Sequence, residues 1–232
     1  MVRSKATIGR GTLISVAPAE GDNVWPEATA ITITTAPASA AVAIAVSFDP
    51  ALTRDIPAST TRPLYLNFIE VSGKSHFVEV TSPITPATTS LTVKALKQGI
   101  TNGAIAVFPL LLANAENANL SDDKTEADIN VFSGDGYKDS MTTQLAKGFS
   151  MSTFCSQLDA AWNTCLDASN SLEYDEVYIK LELPKPKGYT NNGLTFEFFS
   201  GIKAPFSISA TEIIKTDLTG MSRGEFKITK AA

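Results

Sequence analysis

Between residues 127 and 183 the spacing of apolar residues changes from two to about 3.6 and back to two, which sets one helix inside a run of strands. The helical stretch is 153–168, where Phe154, Leu158, Ala161, Cys165 and Ala168 recur at three- and four-residue steps. They fall on one stripe with Trp162 on its flank, and Ser156, Asp159, Asn163 and Asp167 collect on the opposite side. Ser152 or Thr153 is placed to cap the first amides, and Asn170 to stop the helix in a left-handed conformation. Upstream, Phe149 to Phe154 alternates bulky and small polar residues. Downstream, Val177, Ile179, Leu181 and Leu183 alternate with Glu176, Tyr178, Lys180 and Glu182, a half-buried strand with one wet face. The pattern predicts a mainly-β fold: sandwich- or barrel-like antiparallel sheets with one packed α-helix at about 153–168.

The rest of the chain reads as strands and turns. Residues 1–24 hold one strand, at 11–16, after a lead carrying Arg3, Lys5 and Arg10. From 25 to 112 charges become sparse and Ala, Thr, Ser and Pro dominate. Within this stretch lies an internal repeat at an offset of 47 residues, pairing Ile31 to Thr35 with Val78 to Ser82, and Ile44 to Val46 with Leu91 to Val93. At a shorter offset, Leu64 to Phe68 answers Ala104 to Phe108. Each unit reads as strand, Pro-rich turn, strand, loop, strand. The competing reading is that Ala/Thr-rich strands look alike by chance. Residues 114–125 are polar and offer nothing apolar to order them, so they read as a linker. The expected division is therefore 1–24, 25–112 and 113–232. After turn clusters around Gly188 and Gly193, Leu194, Phe196, Phe198, Phe206, Ile208, Ile213, Ile214, Phe226 and Ile228 predict a meander that buries aromatics against the helix.

Composition narrows the chemistry. A formal net charge of −5 with no basic run argues against a duplex-DNA binder, which needs clustered cations on phosphates. The longest apolar run, 104–113, contains Pro109 and is half the roughly twenty residues a membrane helix needs. No signal-like apolar region follows the lead, so synthesis in the cytoplasm is expected. Cys155 and Cys165 are ten residues apart on the predicted helix, about 15 Å along its axis, too far for a disulfide. Both are expected to be buried free thiols. His76 is the single histidine, which rules out multi-histidine metal sites; its setting between Ser75 and Phe77 predicts a surface or edge-strand position. Acidic residues gather from Asp122 to Asp139, but the Ser133 to Gly136 turn leads into no calcium loop, and Gly134 and Gly136 lack the third glycine and helix of a phosphate cradle. A glycosidase-like carboxylate pair has no spacing rule, and nothing points to one. No catalytic, cofactor-binding or metal residue is assigned, and the chain is expected not to be an enzyme.

The segment Asp128 to Tyr137 (DINVFSGDGY) resembles the strand and Ser-Gly turn that lead into the core of phage major tail (tail tube) proteins. The order that follows is similar too: a strand at 147–154, the helix, a strand at 174–183, a turn, then 194–208 and a last strand pair. The resemblance covers roughly residues 111–232. It implies a tail-tube-like structural subunit of a virion, made in the host cytoplasm, that forms homohexameric rings stacked into a tube with other tail proteins. DNA would pass through without specific binding, no membrane or cofactor is involved, and an acidic balance suits a channel in which DNA slides. The 114–125 stretch falls where such proteins carry a loop reaching a neighbouring subunit. Asn119, Ser121, Asp122, Asp123, Lys124 and Thr125 are thus candidate subunit contacts, with Arg3 and Lys5 on the lead. The alternative is a β-sandwich adhesin or carbohydrate-binding surface module, with Trp25 or Tyr65 lining a sugar site.

Overall fold

The computed structural model describes residues 12–19, 24–113, 115–129, 139–185, 193–207 and 214–230; for 123–129, 139–146 and 206–207 it describes the backbone alone. The fold is mainly β, two curled antiparallel sheets and one helix. Six strands make the first sheet: β2 (Thr29–Ile33), β3 (Ala43–Asp49), β4 (Leu64–Ile69), β5 (Ser75–Val80), β6 (Ser90–Thr92) and β7 (Ile105–Phe108). They run in the order β5-β4-β7-β2-β3-β6. The bridge between Val80 and Val93 joins the two ends of this order, backed by main-chain bonds from Thr81 to Thr92 (2.9 Å) and from Lys94 to Glu79 (2.9 Å). The sheet is thereby a small barrel, filled from every strand by alternate residues such as Ile31, Ile33, Ile44, Leu66, Phe68, Val78, Val80 and Leu91.

The barrel carries the sequence repeat as an internal two-fold. Exchanging β2, β3 and β4 for β5, β6 and β7 reproduces the same strand order around the barrel. Ile44 and Leu91, equivalent in the repeat, are directly paired across β3 and β6.

His76 is not on the surface. It is 3% exposed, on the inward face of β5, and its Nε2 lies 2.9 Å from Glu70 Oε1. The Glu70 carboxylate also accepts from the Thr101 amide (3.1 Å) and the Ser72 hydroxyl (3.1 Å), tying the β4–β5 turn to the loop before β7. The Thr101 amide, ahead of the Ser72 and His76 bonds, holds the Glu70 carboxyl below its ordinary range.

The second sheet runs in the order β8-β1-β11-β12-β14-β10-β9. Its strands are β1 (Leu13–Pro18), β8 (Leu110–Leu111), β9 (Ala115–Ile129), β10 (Asp139–Phe154), β11 (Glu176–Glu182), β12 (Thr195–Lys203) and β14 (Lys215–Thr229), with β13 (Phe206–Ser207) paired onto β14. The strand expected at 174–183 is there as the shorter β11, with Val177, Ile179 and Leu181 buried. The expected final strand pair is instead the single long β14, which pairs β12 on one side and β10 on the other. Its outer end is wetter than the apolar pattern suggests: Phe226 is half-buried and Ile228 is 47% exposed. Where β12 passes β14, the partner of Phe198 is Phe226 but that of Phe199 is Arg223, so β14 carries a bulge. Gly224, with φ of 71°, occupies that bulge, a conformation that costs glycine least.

The helix α1 spans Ala160–Asn170 rather than 153–168. Residues 153 and 154 continue β10 and pair with Thr216 and Lys215 of β14, because ladder hydrogen bonds outweigh a local helical period that the same residues also satisfy. The cap is therefore Asp159, not Ser152 or Thr153. Asn170 ends the helix without a left-handed turn; the following Ser171 is extended, with φ of −100°. Ala161, Trp162, Cys165 and Ala168 are buried as expected. Phe154 is a half-buried strand residue, and Leu158, in the turn before the cap, is 62% exposed. Cys155 is off the helix and half-buried, its Sγ 2.7 Å from Thr216 Oγ1; Cys165 is buried, and both are free. Burial pushes the Cys165 thiol up to about 12.

Candidate assembly surfaces

The residues proposed as subunit contacts lie on a strand, not in a loop. Residues 115–129 form β9, hydrogen-bonded along its length to β10, with Asn119 opposite Ser150, Ser121 opposite Gly148 and Asp122 opposite Lys147. Asp123, Lys124 and Thr125 continue the same ladder opposite Ala146, Leu145 and Gln144. Sequence reasoning missed the strand because its apolar pattern is sparse: among the side chains described on β9, Ala115, Ala118 and Leu120 pack against the core, and main-chain pairing to β10 runs its length. Asn119, Ser121 and Asp122 are exposed, and Lys147 pairs with Asp122. Arg3 and Lys5 lie outside the described residues, as do residues 130–138, which hold the Ser133 to Gly136 turn.

β9 ends the sheet order, so its second edge has no strand partner among the described residues over fifteen positions. The other end of the sheet is the two-residue β8. β9 carries five carboxylates (Glu116, Asp122, Asp123, Glu126 and Asp128) against one lysine, Lys124. Within the chain, Lys215 reaches Glu116 at 2.9 Å and Lys147 reaches Asp122.

A groove of about 990 Å³ lies between the barrel and the mouth of the curled sheet. Ile105 and Val107 of β7, Ile69 of β4, and Leu13 and Leu111 beside it are exposed large apolar residues along this groove. Leu181 of β11 and Phe196 of β12, strands that α1 also packs on, line it beside Ala160 at the start of the helix.

A second, polar cleft of about 560 Å³ separates the other end of the barrel from the C-terminal half of α1. Tyr65 donates to Asp167 Oδ2 at 2.5 Å across it, and the Arg62 guanidinium lies 4.1 Å over the Tyr174 ring. Burial, reinforced by the Asp167 carboxylate, raises the Tyr65 hydroxyl. Burial raises the Glu176 carboxyl too, and its Oε1 finds no hydrogen-bond partner among the described residues. Of the two aromatics named for a sugar site, Tyr65 lines this cleft but stacks on Phe77 at 5.3 Å, and Trp25 is not free. Trp25 packs against Phe199 at 4.8 Å and Tyr178 at 5.6 Å on the outer face of the sheet. Among the described residues no group of three His, Cys, Asp or Glu side chains is placed to hold a metal ion.

No family model matches the chain. No curated protein matches it. Among solved structures, the chain is similar to a chain of the virion of a native gene transfer agent particle, at 13% identity and a TM-score of 0.38, over 51% of this chain and 87% of that one. It is also similar to a chain in the tail of an empty gene transfer agent particle with C6 symmetry, at 9% identity and a TM-score of 0.39, over 71% of this chain and 95% of that one. Likeness this distant establishes neither a shared fold nor a shared role.

Proposed function

We propose that the chain is a non-enzymatic structural subunit of a phage tail, a tail tube protein whose copies close into hexameric rings and stack around a DNA channel. The observation that carries this reading is the fifteen-residue open edge of β9. A long unpaired edge is a liability in a monomer and an asset in a ring, where a neighbour's main chain satisfies it and closure leaves no free edge. The resemblance of residues 111–232 to tail tube proteins supports the same reading.

The charges complement one another. β9 is strongly acidic, while the first ten residues carry Arg3, Lys5 and Arg10 and no acidic residue. Contact between the lead of one copy and β9 of the next brings unlike charges together and fixes their orientation. Asn119, Ser121 and Asp122, exposed on β9, would then lie at the subunit boundary. Residues 25–112, by this reading, form an added module outside the tube-forming part.

Size-exclusion chromatography with negative-stain imaging of the full chain tests the proposal. Rings or tubes should form without partner or nucleotide, should be lost on Lys5→Glu, and should return when Asp122→Lys is added. A protein that stays monomeric at high concentration overturns the reading.

A further inference from the structure

We infer that the polar cleft between the barrel and α1 is a binding site for a neutral saccharide. The set of groups selects the ligand. Three carboxylates, Asp167, Glu173 and Glu176, share the cleft wall with one guanidinium, Arg62, which already rests on Tyr174, so an anionic ligand is repelled. The carboxylates do not converge as a metal site. They are spread around the cleft, and Glu176 Oε1 is a buried acceptor in want of a donor. A ligand that satisfies separated acceptors needs hydroxyl donors pointing in several directions, and a pyranose ring supplies them.

Two further features favour a sugar over a polyamine. Arg62 over Tyr174 places a fixed positive charge where a cationic ligand would have to pass. Tyr174, 43% exposed, gives the cleft an aromatic ring with a polar tip, suited to the mixed C–H and O–H surface of a sugar, while Tyr65, stacked on Phe77 and bonded to Asp167, forms the fixed wall beside it. At about 560 Å³ the cleft has the size of a small-molecule site, and it lies between two packed bodies, where such sites are frequent. Tyr65 sits on the barrel, Asp167 on α1 and Glu176 at the start of β11, so the cleft exists only once barrel and sheet are docked.

Saturation-transfer NMR on the full chain tests this, with methyl glucoside, methyl galactoside, N,N′-diacetylchitobiose and spermidine as probes. At least one saccharide should receive saturation and spermidine none. Tyr174→Ala, at an exposed ring, and Asp167→Asn, which keeps an acceptor for Tyr65, should each reduce the transfer at least several-fold with the circular dichroism spectrum unchanged. Three results overturn the proposal: no transfer to any saccharide, equal transfer in both variants, or transfer to spermidine alone. None of them bears on ring assembly, which the imaging experiment reads separately.

Discussion

Asp159 is the residue on which the position of α1 turns, and replacing it measures how far the cap sets that position. Its Oδ1 accepts from the amides of Ala161 (2.9 Å) and Trp162 (3.2 Å), and Oδ2 from the amide of Ala113 (3.4 Å) beyond β8. One side chain thus holds the first turn of the helix and the chain entering β9. Loss of an N-cap costs about 0.5–2 kcal/mol, and an amide left unsatisfied in a buried place costs about 1–3 kcal/mol. Asp159→Ala should therefore destabilise by about 2–4 kcal/mol, which in a chain of 232 residues lowers Tm by roughly 5–15 °C. Asp159→Asn keeps the oxygen for the helix amides and loses only the long bond to Ala113, so it should cost about 1 kcal/mol or less.

The two variants also separate the cap from the charge. Burial raises the folded carboxyl above its ordinary 3.8, against the three amides that lower it. The folded state then holds the proton to higher pH than the unfolded chain. The stability linked to that proton is complete below 3.8 and is lost as pH rises through the raised folded value. The advantage of wild type over Asp159→Asn should accordingly shrink as pH rises from below 3.8, while the deficit of Asp159→Ala persists at neutral pH. Thermal scans across that range decide the matter. An Asn variant as unstable as the Ala variant, or an Ala variant that melts like wild type, refutes the assignment of Asp159 as the cap.

In the barrel, Ile44→Ala or Leu91→Ala should cost about 2–5 kcal/mol, and the double variant less than their sum because the two side chains face each other across β3 and β6; denaturant titration gives all three values. Leu158→Ala, at a side chain 62% exposed, should change stability by no more than about 0.5 kcal/mol, and a loss of several times that by the same titration would return Leu158 to the core.

Legibility in the sequence followed whether local pattern and tertiary pairing agree. At 176–182 they do, since an alternating strand is paired on both sides by β1 and β12 and keeps the face its period assigns. At 153–158 they conflict. Phe154 and Leu158 fit a helical stripe, but the pairing of β10 with β14 runs through residue 154 and the cap comes only at Asp159. The sequence AENANLSDDKTEADI has almost no apolar alternation, so a strand ordered by its ladder to β10 reads as a linker. His76 lies on β5, an end strand of its sheet, as one half of the expectation has it. Its burial is not legible, because a lone polar residue in an alternating strand does not announce that Glu70, six residues earlier, folds back to meet it. The repeat reads in the sequence as matching spacing, and the barrel sets its equivalent residues Ile44 and Leu91 side by side. The cleft was not legible, because Arg62 and Tyr65 meet Asp167 and Tyr174 only after the barrel docks on the helix.

The two bodies differ in what they leave unfinished. The barrel is joined end to end by the Val80–Val93 bridge and its two flanking main-chain bonds, and its interior is filled. The sheet does not close: it ends in a two-residue strand on one side and a fifteen-residue strand on the other. If copies associate through main-chain pairing, as proposed, the long β9 edge of the sheet is the one best suited to it. The piece that fixes the barrel against that sheet is α1, which packs on β1 and β12 with one side and on β4 with another. Polar contacts reinforce it: Tyr65 to Asp167, and Asn67 Nδ2 to the Leu158 carbonyl at 3.0 Å. A change that loosens α1 therefore acts on the seat of the barrel and, through the Asp159 bond to Ala113, on the chain entering β9. In any ring built on that edge, α1 and the contacts of Arg62 with Ala19 and Tyr174 are what carry the barrel along with the sheet.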